Sequence, residues 1–246
     1  ITFKNTFTNP MPENKEAAFK KNDIYTYHGN PKFIAENQLK IGDDVIEADK
    51  IVIATGAVPK ELTIPGAEYA LSSDDFLKME ELPQSLLFIG GGYIALEFAH
   101  IAARSGAKVT VLQKGSRLLK HFDKDIVEHL VDATKELDIE LVMNTNVSQI
   151  KKNGDSYIVV GDSNGKMKEY RADVVFNTSG RVPAIQNLDL DKGNVRYSDQ
   201  GIEVSYYMQS TTNPSVYAAG DNTATFGLPL TPFATMEGHI VSANIL

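Results

Sequence analysis

The chain has 246 residues, 42% of them hydrophobic, with 24 basic against 32 acidic side chains and a net charge of -8. That is enough apolar material for one large or two ordinary domains, and no basic, aromatic-interleaved stretch is present to grip a polyanion, which excludes nucleic acid as a partner. No apolar run approaches the roughly 20 residues of a membrane helix and no charged start with an apolar core marks a secretory signal, so no membrane association and a soluble, cytoplasmic protein are expected.

Cysteine is absent, which removes disulfides, thiolate nucleophiles and cysteine metal sites from consideration. The five histidines, at 28, 100, 121, 129 and 239, have no metal-like spacing, and no metal is expected. The chain opens on Ile1 with no glycine fingerprint ahead of its first strands, and reads as a fragment.

In chain order, the pattern predicts a helix around Lys15 to Asn22, then short strands near Ile24 to Tyr27, Lys32 to Glu36 and Val45 to Ala48. The run from Lys50 to Pro59 reads as a buried strand ending in a turn, where Gly56 gives conformational freedom and Pro59 blocks continuation. A linker follows through Pro65-Gly66 and Ser72-Ser73-Asp74-Asp75, where Ser or Asp can cap a short helix, up to Leu82-Pro83.

Leu86 to Glu97 (LLFIGGGYIALE) then reads as a buried strand, a glycine-only turn and the first turn of a helix. Gly90 lets the chain turn at the strand end and Gly92 lets backbone approach a phosphate. The helix start offers unpaired N–H groups and a positive dipole end, and Ala95 is the third small position. The pattern alone also fits an ordinary strand-turn-helix junction. Its context favours the nucleotide: Ile94, Phe98 and Ile101 recur at helical spacing beside Ala95, Ala99 and Ala102, giving an apolar face to lay on a sheet. Gly106 ends the helix, and Lys108 to Leu112 supplies the next strand of a right-handed parallel unit.

An acid after that second strand would receive the ribose hydroxyls of NAD. The residue there is Gln113, followed by Lys114, Arg117 and Lys120. A 2'-phosphate would therefore meet cations, which favours NADP; a plain solvated loop is the alternative. Beyond it, a helix from Asp123 to Leu137 begins with acids, as the macrodipole prefers. Strands are expected at Ile139 to Met143 and Val147 to Lys151, then a hairpin of Tyr157 to Val160 and Lys166 to Tyr170 turning at Asp162-Ser163-Asn164-Gly165. Asp173 to Pro183 reads as a second buried strand ending in glycine and proline. Val216 to Asp221 (VYAAGD) is a strand whose end sets a carboxylate on a turn, where Asp221 either accepts from a sugar or ribityl hydroxyl or caps the next element. A helix is expected from Pro232 to Leu246.

In this order, the motifs at 54 to 59, 90 to 97, 178 to 183 and 216 to 221 resemble the FAD-dependent pyridine nucleotide-disulfide oxidoreductases, the family of glutathione reductase, dihydrolipoamide dehydrogenase and mercuric reductase. The resemblance implies an α/β fold, with a Rossmann-like three-layer NAD(P)-binding domain at 80–185 inserted in an incomplete FAD-binding domain of the same type, 1–79 and 186–246. Thr55 and Gly56 match the first flavin-side turn, Asp221 the acid on the ribityl chain, and Leu230 and Thr231 later flavin contacts. Gly90, Gly92, Tyr93, Ile94 and Glu97 match the nicotinamide nucleotide site. There Tyr93 resembles the tyrosine covering the nicotinamide pocket, though plain packing is equally compatible with it, and Glu97 resembles the glutamate paired with a lysine beside the flavin. Lys114 and Lys120 fall where NADPH-using members carry arginines for the 2'-phosphate. Val147 and Gly180 look like further nucleotide contacts, and Arg181 like a structural partner of the site.

The departures are large: the N-terminal FAD fingerprint, the Cys-x4-Cys dithiol and the C-terminal interface domain with its His-Glu pair have no counterpart here. The resemblance thus implies the hydride-delivery end of an enzyme that uses NADPH and FAD to reduce a small-molecule disulfide, homodimeric when complete, with the fragment alone inactive. An NADH-linked dihydrolipoamide dehydrogenase or a mercuric reductase-like enzyme is the nearest alternative, and a non-catalytic dinucleotide-binding module the alternative of another class.

Overall fold

The structure, a computed structural model, describes residues 2–245, and Ile1 and Leu246 lie outside the described residues. Two helices come first, α1 (Thr2–Thr8) and α2 (Met11–Lys21). The first has no counterpart in the sequence-based expectation. The second starts before Lys15 because Pro12, in its first turn, needs no N–H partner there. The strand expected at 24–27 does not form: Ile24, Tyr25 and Tyr27 stay exposed and pair with no other strand.

Next come β1 (Lys32–Ala35), β2 (Gln38–Ile41) and β3 (Asp44–Glu47), an antiparallel meander. The predicted strand at 50–59 is broken into β4 (Ile51–Ile53) and β5 (Ala57–Pro59), with Gly56 between them at φ 67°. The middle of the chain forms β6 (Ala70–Leu71), α3 (Ser73–Lys78), β7 (Ser85–Ile89), α4 (Tyr93–Arg104), β8 (Lys108–Leu112), α5 (Lys124–Lys135) and β9 (Glu140–Val142). It continues with β10 (Thr145–Asn153), β11 (Ser156–Ser163), β12 (Lys166–Ala172) and β13 (Val174–Asn177). The last stretch holds β14 (Arg181–Pro183), β15 (Tyr197–Ser198), β16 (Gly201–Ile202), β17 (Val216–Ala218) and α6 (Thr231–Ile245). The run at 173–183 is therefore two strands, interrupted at 178–180.

The chain divides into two compact units, Pro59–Arg181 and the residues flanking it on both sides. Joins were expected after 79 and 185, but residues 59–79 pack with the middle unit. There β6 runs parallel to β13, and Phe76 of α3 stacks on Phe98 with ring centroids 4.0 Å apart. Ser72 caps α3 by accepting the Asp75 N–H, while the Asp75 carboxylate accepts the Ser72 N–H, a reciprocal capping box.

The middle unit has three layers around a five-stranded parallel sheet of order β6-β13-β7-β8-β9. Side chains along a strand alternate between faces, and both faces are covered, so β7 is apolar from Leu86 to Ile89. Leu86 and Phe88 lie with Val109, Val111 and Phe176 under Ala95, Phe98, Ala99 and Ala102 of α4. Leu87 and Ile89 lie with Leu112 and Val175 against Ile150, Val159 and Ala172 of the β10-β11-β12 meander. Each fully buried Leu, Ile, Val or Phe side chain contributes roughly 1.5–3 kcal/mol by leaving water. The stripe of α4 that faces the sheet is Ala95, Ala99 and Ala102 with Phe98. Ile101, expected on that face, is 56% exposed. The meander's hairpin turns on Asn164 and Gly165, both at positive φ, the two-residue turn that suits strand twist.

In the flanking unit, β17 runs parallel to β4, and Ile51, Ile53, Val216 and Ala218 share a core with Phe33 and Ile202. Buried Asn213 ties this unit's loops together, donating to the carbonyls of Glu36 at 2.9 Å and Gly193 at 2.7 Å. Helix α6 buries Val241 and one carboxyl group, Glu237. Among the described residues, no helix is long and apolar enough to cross a membrane.

Candidate functional site

Strand β7 delivers the chain into Gly90, whose φ of 104° belongs to glycine, and a Cβ there would stand 2.6 Å from Ser179 Cα. The neighbouring strand end closes on it: Thr178 Oγ1 donates to the Ile89 and Gly90 carbonyls at 3.1 and 2.9 Å. Gly91 is buried against Leu118, with which a Cβ would overlap at 2.2 Å. Gly92, by contrast, has extended backbone and nothing within 4 Å of where a Cβ would be. It is the N-cap of α4, and no side chain caps that helix. An open, uncapped helix start at the carboxyl end of a parallel strand is suited to a phosphate, because its N–H groups and dipole both favour an anion.

The residues around it sort by exposure. Tyr93 and Ile94 are half-buried in the first turn, and Glu97, one turn on, is exposed. Lys114 and Lys120 are exposed and, among the described residues, neither makes an ion pair. Arg117 is otherwise engaged: its guanidinium donates to the Phe122 carbonyl, and its buried Nε has no partner. Of the three cations that the sequence sets after β8, two thus remain exposed without an ion pair among the described residues. Gln113 is held on both sides, its Oε1 accepting the Gly91 N–H and its Nε2 donating to the Arg117 carbonyl, each at 3.0 Å. Val147 is half-buried and packs against the core between sheet and meander. Gly180 is exposed, and Arg181 is half-buried with Nη1 3.4 Å from Ser73 Oγ.

In the flanking unit, parallel β4 and β17 end side by side, which brings Thr55 and Gly56 to the same end as Asp221. Thr55 is exposed and Asp221 half-buried, with no hydrogen bond to its carboxylate among the described residues. Beside Asp221, fully buried Asn222 donates to the Ile53 carbonyl at 2.9 Å while its Oδ1 lacks a partner. A free carboxylate and an orphaned buried carbonyl at the carboxyl ends of parallel strands fit a polyhydroxylated chain such as the flavin's ribityl arm. Leu230 and Thr231 are placed at the start of α6, Thr231 exposed.

Sequence reasoning missed Glu237. Its oxygens accept from the Gly220 N–H at 2.7 Å and from Thr225 Oγ1 at 2.8 Å, which fixes the turn carrying Asp221. A signal was present, since Glu237 is the lone acid in a helix with no other Asp, Glu, Lys or Arg.

Residues 7–238 match the family model described as pyridine nucleotide-disulphide oxidoreductase. The chain is 32% identical over 231 residues to the dihydrolipoyl dehydrogenase of Bacillus subtilis (strain 168), covering 92% of this chain and 49% of the relative. It is 33% identical over 224 residues to the glutathione reductase of Burkholderia cepacia, covering 91% and 49%. Among solved structures, the HOCl-induced flavoprotein disulfide reductase RclA from Escherichia coli superposes with a TM-score of 0.82 at 26% identity, over 96% of this chain and 56% of that one. The chain thus spans about half the length of the curated relatives it matches.

Proposed function

The chain belongs to the pyridine nucleotide-disulphide oxidoreductase family, and on that premise we propose that it is the NADPH-binding portion of an FAD-dependent disulfide oxidoreductase most like glutathione reductase. FAD held by the residues around Asp221 would supply two-electron redox chemistry between NADPH and a small-molecule disulfide. The backbone at Gly90 and Gly92 and the first turn of α4 receive the pyrophosphate, and Lys114 and Lys120 the 2'-phosphate. Tyr93 covers the nicotinamide pocket, with Ile94, Glu97, Val147, Gly180 and Arg181 around the nucleotide. Asp221 accepts from ribityl hydroxyls, supported by Thr55, Gly56, Leu230 and Thr231.

The observation that carries this reading is the space over Gly92 at an uncapped helix start, beside a loop from Gln113 to Phe122 that holds two exposed lysines and no acid. A carboxylate there would suit ribose hydroxyls; an ammonium suits a phosphate. With no cysteine among its 246 residues, the chain alone is proposed to turn over neither glutathione disulfide nor lipoamide.

Titration calorimetry of the 246-residue chain with NADPH and NADH tests the nucleotide assignment. NADPH is expected to bind about tenfold more tightly or better, and Lys114→Glu to remove most of that margin. Equal affinities in the unsubstituted chain would sink the NADP assignment and favour an NADH-linked enzyme of the dihydrolipoamide dehydrogenase kind.

A further inference from the structure

Gln113 stands where an acid would read the ribose of NAD, yet its side chain is spent on the protein itself. Oε1 accepts the N–H of Gly91, the middle residue of the glycine turn, and Nε2 donates to the carbonyl of Arg117, four residues further on. Its backbone is fixed on both sides as well, with Gln113 N–H donating to Val142 at 2.8 Å and its carbonyl accepting from Thr145 at 2.9 Å. The loop it grips is closed by other bonds that converge on the same place. Leu119 N–H reaches the Gly91 carbonyl at 3.4 Å, Asn144 N–H donates to Gly115 at 3.0 Å, and Arg117 donates to Phe122. Leu118, 1% exposed, plugs this ring into Leu96 of α4 and Val127 of α5. Only Lys114 and Lys120 are left pointing to solvent without a charge partner among the described residues.

From this we infer that Gln113 is a positioning residue for nucleotide choice: it ties the glycine turn to the loop bearing Lys114 and Lys120, so that pyrophosphate and 2'-phosphate sites keep one spacing. The inference rests on the dinucleotide reading of the site given above. It has two chemical consequences. The Gly91 N–H is consumed by Gln113 and takes no part in holding phosphate, which falls to the first turn of α4. A glutamate at 113 keeps the bond to Gly91 but sets its second carboxylate oxygen against the Arg117 carbonyl, two acceptors with no proton between them. Such a substitution would push the lysine loop away and would not simply add a ribose acceptor.

The test compares Kd values of NADPH and NADH for the 246-residue chain and its variants Gln113→Met, Gln113→Glu, Lys114→Ala/Lys120→Ala and the triple variant with Gln113→Met. Methionine keeps the volume and removes both hydrogen bonds, which limits folding defects. NADPH affinity is expected to fall about tenfold in Gln113→Met and NADH affinity by less than about threefold, with no further NADPH loss when both lysines are already gone. Gln113→Glu should also lose NADPH affinity without gaining NADH affinity. In the nucleotide-free chain, hydrogen exchange at the Gly91 amide should speed up in Gln113→Met. An equal fall for both nucleotides, an undiminished effect in the lysine-free background, a gain of NADH affinity in Gln113→Glu, or unchanged Gly91 protection would each overturn the inference while leaving the dinucleotide site standing. Absence of binding of either nucleotide to the unsubstituted chain would overturn the site reading itself, and the inference with it.

Discussion

Glu237, 5% exposed on α6, accepts the backbone N–H of Gly220 at 2.7 Å, so a buried side chain seventeen residues away in sequence fixes the turn that presents Asp221. Its other oxygen takes Thr225 Oγ1 at 2.8 Å, and Thr223 Oγ1 lies at 3.4 Å. Removing the carboxyl leaves a backbone donor and a hydroxyl without acceptors in a closed space, and each such loss costs about 1–3 kcal/mol. Glu237→Ala is therefore expected to lower unfolding free energy by about 3 kcal/mol in urea titrations. Glu237→Gln, which keeps one acceptor, should fall between. A Glu237→Ala midpoint matching the parent would show that the turn holds itself.

The helices α4 and α5 are joined by a polar contact with a definite proton arrangement. Thr134 Oγ1 donates to the Leu130 carbonyl at 2.6 Å, so at 2.8 Å it accepts from His100 Nε2–H. Burial first, and the Arg104 guanidinium second, hold the His100 imidazole below its ordinary pKa of 6.5. The unfolded chain then takes up a proton at higher pH than the folded one. This contribution is complete above the unfolded value and is lost as pH falls through it towards the lower folded value. Gln at position 100 keeps a donor for Thr134 and cannot titrate in this range. Urea midpoints at about pH 7.5 and about pH 5 should differ less in His100→Gln than in the parent, and superimposable profiles would refute the effect.

Period and turn chemistry made β7, α4 and β8 legible, because each must bury a regular face and glycines at positive φ mark the junctions, Gly90 after β7 and Gly106 after α4. The same logic misplaced Ile101, which is 56% exposed because Ala95, Phe98, Ala99 and Ala102 fill the side of α4 that faces the sheet. It also proposed a strand at 24–27 from Ile24 and Tyr27, although no ladder partner exists for them among the described residues. Gln113 is legible in the sequence by its type alone, as an amide where NAD would need an acid. What its amide holds depends on Arg117 turning its carbonyl inward, which no spacing rule encodes. Glu237 is the converse case, a charge in an uncharged helix, conspicuous by composition but with partners twelve to seventeen residues upstream.

The two glycines that frame the phosphate cradle separate folding from binding. At Gly90, φ is 104°, and a Cβ would stand 2.6 Å from both Ser179 Cα and the Thr178 carbonyl oxygen, backbone atoms that cannot step aside. Gly90→Ala is expected to cost more than about 2 kcal/mol of stability. At Gly92, φ is -83° and ψ -178°, ordinary extended backbone, and no atom lies within 4 Å of the added carbon. Gly92→Ala should therefore fold with a loss within about 1 kcal/mol, the difference between glycine and alanine at an N-cap. The methyl group would occupy the space through which a pyrophosphate reaches the start of α4, so NADPH affinity should drop about tenfold or more. Thermal melts and nucleotide titrations on the same preparations read the two effects apart. If Gly92→Ala binds NADPH as tightly as the parent chain, the phosphate does not rest on that turn, and the pyrophosphate must be held elsewhere in the unit.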